Sequence, residues 1–144
     1  MYHICNVIER GIESYLDCDN EQEKAGIKYG VKMLIRQIVI NKCWSKKARQ
    51  LALKNNWPLD MNWYEQPKYD KGRKQLLMEH KNPLEEIWIK LCEEHWNTER
   101  ILVEEIQIVW VTREEDHELT RLGYRTKRPD SDKAYREAGI EIYS

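Results

Sequence analysis

Glu79-His80-Lys81-Asn82-Pro83 sets a carboxylate beside an imidazole and ends in a proline that closes an extended segment. Further along, Thr112-Arg113-Glu114-Glu115-Asp116-His117 gathers three acids and a second imidazole. A carboxylate holds hard divalent cations, and a neutral imidazole with a pKa of about 6.5 accepts a proton from water near neutral pH. Such groups could activate a water for hydrolysis while a metal bears the developing negative charge. Each segment also has a plainer reading. Acids are favoured at a helix N-terminus with no metal present, and a histidine before a proline can satisfy backbone groups at a strand end.

Cations that would hold a phosphate backbone are present too. Lys42 to Lys54 contains Lys42, Lys46, Lys47, Arg49 and Lys54 and no acid, a block suited to phosphates or to an acidic protein face. Arg113, Arg121, Arg125, Lys127 and Arg128 form a second basic set, with Tyr124 interleaved as a single-strand contact would require. Both sets read equally as solvated faces and tied turns. Against them stand the acid pairs Glu85-Glu86, Glu93-Glu94, Glu104-Glu105 and Glu114-Glu115. On exposed helices these pairs would imitate nucleic acid and meet a basic protein face.

The elements that must position these groups follow from periodicity. Ile4, Val7, Ile8, Ile12, Tyr15 and Leu16 recur at helical spacing. Asp17 to Asn20 interrupts, with Asp19 or Asn20 placed to cap a second helix. That helix carries Ile27, Val31, Leu34, Ile35, Ile38 and Val39 on one face and Lys24, Lys28, Lys32 and Arg36 on another. Ser45 is placed to cap a third helix through Leu53. From Asn55 to Gly72 periodicity is lost and Pro58, Pro67 and Gly72 punctuate an aromatic connection holding Trp57, Trp63, Tyr64 and Tyr69. Lys74–Glu79 reads as a short strand, and Asn82-Pro83 opens a helix to about Glu94. Asn97-Thr98 begins another to Glu105, and Gln107–Thr112 is a strand rich in β-branched and aromatic residues. Thr112-Arg-Glu-Glu is a capping-box pattern for a helix stopping at Gly123. The tail adds a short helix and a closing strand.

The order of extended Glu79-His80-x-x-Pro83, helix, gap and acidic/His helix resembles the HNH (ββα-metal) nucleases over about residues 74–123. The resemblance implies a divergent metal-dependent phosphodiesterase acting on DNA. His80 would be the general base, with Glu79 and Asp116 or His117 holding Mg²⁺ or Mn²⁺, and Arg113 or Arg121 touching phosphate. Asn97 is the candidate for the family's central asparagine by order alone. The histidine that usually completes the metal set is replaced by an acid, and the cysteine pairs that brace many members are absent.

The remaining bounds are broad. The 144 residues, 34% charged and 41% hydrophobic, fit one domain. It divides into a basic-leaning helical part (1–56), an aromatic loop (57–73) and a small α+β part (74–144). Residues 1–56 hold ten Lys/Arg against six Asp/Glu, and the remainder fourteen against nineteen. Cys5, Cys18, Cys43 and Cys92 form no C-x-x-C pair, which fits reduced thiols in a cytoplasmic compartment. No apolar run is long enough to span a membrane. The expected fold is α+β and mostly helical, with an N-terminal helical hairpin packed on a two- or three-stranded sheet. Two function classes follow: the HNH-like enzyme, or a non-catalytic protein-binding inhibitor of the phage or bacterial defence type. The inhibitor would use the acidic helix faces and the Trp-rich loop. Nothing in the sequence sets the oligomeric state.

Overall fold

Helix α1 (Tyr2–Asp17) buries Cys5, Ile8 and Ile12, and α2 (Glu21–Gln37) buries Val31 and Ile35 against it. Both are held in the computed structural model, which describes residues 1–143. The turn between them works as the sequence expects: the Asn20 side chain accepts from the amides of Gln22 and Glu23, each at 3.0 Å. Gly11 sets the closeness of the hairpin. A Cβ there would lie 2.5 Å from Val31 Cγ2, so any side chain would push the two helices apart. Helix α2 stops at Gln37, short of the expected end; Ile38 is buried as an extended residue and Val39 is exposed.

The strands are β1 (Cys43–Ser45), β2 (Leu76–His80), β3 (Ile108–Thr112) and β4 (Ile142–Tyr143), in spatial order β2-β3-β1-β4. Strand β3 is central. It pairs antiparallel with β2, Leu76 opposite Thr112 through His80 opposite Ile108, and parallel with β1, Trp44 opposite Trp110. Strand β4 lies antiparallel on β1. The four strands among the described residues exceed the two or three expected. The extra one is β1, whose three residues are too short to show a period and are held by pairing on both sides.

Side-chain alternation divides the sheet into two faces. On the first, Leu76, Met78, Ile108, Trp110 and Trp44 meet α1, α2, α5 (Leu84–Glu93), α6 (Thr98–Glu105) and α3 (Lys46–Lys54). The Trp44 and Trp110 rings stack there with centroids 5.4 Å apart. On the second, Leu77, Val109 and Val111 meet α7 (Arg113–Arg121) and α8 (Ser131–Glu137) through Leu119, Ala134 and Tyr135.

In the aromatic connection the tryptophans pack against the body, while Tyr64 and Tyr69 are exposed. Trp44 Nε1 donates to Leu59 O at 3.1 Å, and the Arg73 guanidinium lies 4.0 Å over the Trp63 ring. Gln66, in the short α4 (Gln66–Tyr69), donates to Leu76 O, while buried Asp70 accepts from the amides of Lys74, Gln75 and Leu76. One side chain thus stops the loop and starts β2 by satisfying three amides that no strand partner reaches.

Candidate functional site

Strand β2 delivers Glu79 and His80 to opposite faces of the sheet, because consecutive residues of a strand point to opposite sides. Glu79 follows Leu77 onto the face covered by α7 and α8. His80 follows Met78 toward the helical hairpin, where the Arg36 charge acts on it.

On its own face Glu79 is fully engaged. Arg128 Nη2 donates to Glu79 Oε1 at 2.6 Å, and the Tyr135 hydroxyl donates to Oε2 at 2.7 Å. Arg128 spends its other donors on backbone: Nη1 to Lys81 O at 2.8 Å and Nε to Tyr124 O at 2.9 Å. The guanidinium therefore fastens the α7–α8 connection to the end of β2. Burial pushes the Glu79 carboxyl up from its ordinary range, with Arg128 and Tyr135 pulling it back and the Asp116 charge adding to the rise. Two donors, one on each oxygen, match the ionised form. Burial and the neighbouring Glu79 charge also raise the Tyr135 phenol, so it stays a donor.

His80 has a different environment. Its Nε2 is buried without a hydrogen-bond partner, and burial with the Arg36 charge lowers its pKa to about 4. It is neutral at physiological pH and has the acceptor a general base needs, but the strand turns it away from Glu79. Asp116 is half-buried on α7 and His117 is exposed. Asn97, in the turn His95–Asn97 before α6, donates to Glu94 Oε2 at 3.3 Å. Among the described residues no three His, Cys, Asp or Glu side chains converge at metal-binding distance. Of the donor set read from the sequence, Glu79 and His80 thus stand on opposite faces of β2.

Of the expected nucleic-acid cations, Arg128 is buried, while Lys46 and Arg121 are exposed and paired within the chain. Arg128 is 3% exposed, a correction to its place on a phosphate-binding surface: the guanidinium is drawn in by Glu79 and the carbonyls. Lys46 pairs with Glu141, the Arg49 guanidinium lies 4.0 Å over the Tyr143 ring, and Arg121 pairs with Glu118 at 2.5 Å. Arg113 donates twice to Arg73 O. Lys47, Arg125 and Lys127 form no ion pair among the described residues. The ridge on α2 is committed too, Lys28 and Lys32 both grasping Glu85 at 2.7 and 2.8 Å.

The acid pairs show a regular division of labour. Glu85 binds Lys28 and Lys32, Glu94 binds Arg100, Glu105 binds Lys90, and Glu115 is buried. The other member of each pair, Glu86, Glu93, Glu104 or Glu114, makes no ion pair among the described residues.

One surface feature was not singled out by the sequence reading. Trp96, in the turn between α5 and α6, is 65% exposed, and Val103 on α6 is 47% exposed. They line a groove of about 440 Å³ with Asn97, Glu99, Arg100 and Glu104. The signal was available: Trp96 falls between the apolar stripes of α5 and α6 and belongs to neither. The loop tryptophans, by contrast, are half-buried, and Tyr64 is the loop's main exposed ring at 78%.

By architecture the chain is an α+β protein with a mixed sheet between two helical layers. No family model, no curated protein and no solved structure is significantly similar to it. No helix among the described residues is long and apolar enough to cross a membrane.

Proposed function

We propose that this chain is a non-catalytic protein-binding protein that docks the basic face of a partner, with the Trp96 groove as the contact centre. The observation that carries this reading is the groove itself: an indole and a valine stand out in water, flanked by Glu99 and Glu104. Exposed tryptophan is the residue type most often found at the energetic centre of protein interfaces, and charges at the rim steer a partner of opposite sign. The free member of each acid pair extends the same sign of charge. A protein whose own surface meets nucleic acid, a nuclease among them, is the class of partner with a matching basic face.

The competing reading, an HNH-like phosphodiesterase using Mg²⁺ or Mn²⁺, draws on Glu79, His80, Asp116 and His117. It has less support, because the first two face apart and Glu79 is held by Arg128 and Tyr135. One experiment separates the readings. Plasmid and single-stranded DNA are incubated with the protein and Mg²⁺, Mn²⁺ or EDTA, and affinity capture is run with wild type and Trp96→Ala. The expected result is no metal-dependent cleavage, and a captured protein that is released by salt and lost with Trp96→Ala. Metal-dependent cleavage abolished by His80→Ala would overturn the proposal, as would capture indifferent to Trp96.

A further inference from the structure

The end of the aromatic connection gathers cations around one buried acid. Asp70 is 1% exposed and is the single acid between Gln66 and Gln75. Its carboxylate accepts from the amides of Lys74, Gln75 and Leu76, so the chain from Lys71 to Lys74 wraps round it. The wrap uses left-handed backbone at Gly72 and Arg73, with φ of 73° and 51°. Lys68, Lys71 and Lys74 are left exposed, and none of them forms an ion pair among the described residues. The Lys74 stem folds back over Gly72, where an added Cβ would lie 3.5 Å from Lys74 Cε. Like charges are thus held close together with no exposed acid between them.

Contacts from the rest of the molecule extend this patch. The Arg73 guanidinium covers the Trp63 ring and donates to Trp63 O at 3.0 Å, which brings Tyr64 up to the same turn. Arg113, at the start of α7, donates twice to Arg73 O and adds a further cation. Tyr64 is 78% exposed and Tyr69 41%, so two rings stand in water beside the lysines. Two acids bound the patch. Glu65 is half-buried with its Oε2 on the Asn62 amide, and Glu114 is exposed next to Arg113.

Anionic ligands differ in what else they offer such a surface. An acidic peptide brings carboxylates without flat faces, and a duplex keeps its base faces stacked inside. A single-stranded nucleic acid brings phosphates for the cations and free base faces for the rings. We infer that this loop surface binds single-stranded nucleic acid, with Tyr64 and Tyr69 stacking on bases and Lys68, Lys71 and Lys74 meeting phosphates. The surface lies at the Thr112 end of the sheet, whereas the Trp96 groove lies on α6, which leads into the Ile108 end. The inference therefore stands apart from the protein-binding reading and can fail separately.

The test is the fluorescence anisotropy of labelled oligothymidylate or oligouridylate titrated with the intact protein at stepped salt. Duplex DNA, polyglutamate and phosphatidylserine vesicles serve as competitors. Either strand is expected to bind with an affinity that falls as salt rises. Lys71→Gln and Lys74→Gln, both exposed changes, are each expected to lessen the slope of log affinity against log salt by about 0.7, one phosphate contact apiece. Tyr64→Ala is expected to weaken binding roughly ten-fold with the slope unchanged, because stacking releases no counterion. Lys127→Gln, at an exposed cation on the α7–α8 connection, and Trp96→Ala are expected to change neither quantity. Failure to bind either strand at low salt would overturn the assignment, as would affinity indifferent to Tyr64→Ala. Competition by duplex, polyglutamate or vesicles as strong as by unlabelled single strand would overturn it too.

Discussion

The two faces of β2 treat neighbouring titratable groups in opposite ways. Glu79 is half-buried with a donor on each oxygen, whereas His80 is half-buried with a buried ring nitrogen that nothing meets. The carboxylate is tied to Arg128 and Tyr135, which offset the rise that burial imposes on it; the imidazole has no such partner, and its pKa is lowered to about 4. Adjacency in sequence therefore separates two groups in a strand, where in a loop it would bring them together. A motif read by spacing takes its chemistry from the element that carries it.

The largest effect expected from this contrast is at Arg128. Arg128→Ala removes the cation that pairs with half-buried Glu79, together with its bonds to the Lys81 and Tyr124 carbonyls, and should cost about 3–5 kcal/mol in urea unfolding. Replacing both partners, Glu79→Leu with Arg128→Met, should recover part of that loss, because the carboxylate no longer needs a cation while the Tyr135 hydroxyl and the Lys81 and Tyr124 carbonyls still lose their partners. A double variant as unstable as Arg128→Ala would sink the ion-pair account of this face.

Next comes the pH dependence of the other face. The folded His80 has its pKa lowered to about 4 from an unfolded value near 6.5. Between those values the unfolded chain binds more protons than the folded one, so stability falls as pH drops from 6.5 towards 4. The His80 contribution should reach up to about 3 kcal/mol across that window. His80→Leu should flatten this part of the curve, and thermal unfolding at stepped pH would show whether it does.

Smaller effects belong to the junction that Glu115 and Ser45 share. Ser45 Oγ caps α3 through the Ala48 amide at 3.0 Å and donates to buried Glu115. Ser45→Ala should cost about 1–2 kcal/mol, somewhat more than Asn20→Ala, whose cap is exposed. Equal losses at the two caps would remove the role given to Glu115. Smallest is Glu94→Gln, which breaks an exposed pair with Arg100 and should change stability by less than about 1 kcal/mol.

Much of the fold was legible because its signals are local. The Asn20 and Ser45 caps, the Thr112 capping box and the β-branched run of β3 each depend on a few neighbouring residues. Strand β1 was not legible, since Cys43–Ser45 is a strand only through β3 and β4. The site was harder for the same reason. Arg128 reads as one of several basic residues before Pro129, and its capture by Glu79 is a contact across 49 positions. The acid pairs were read as uniform surface, while the fold commits one member of each and leaves the other free.

The central claim is that Glu79 belongs to Arg128 and not to a site shared with His80. Two double-mutant cycles in urea unfolding test it most directly: Glu79→Gln with Arg128→Met, and Glu79→Gln with His80→Leu. The expected coupling in the first is about 1.5–3 kcal/mol, the strength of a hydrogen bond to a charged group. The second should be additive within about 0.5 kcal/mol. A coupling between Glu79 and His80 larger than that between Glu79 and Arg128 would contradict the account and return the two residues to a common site.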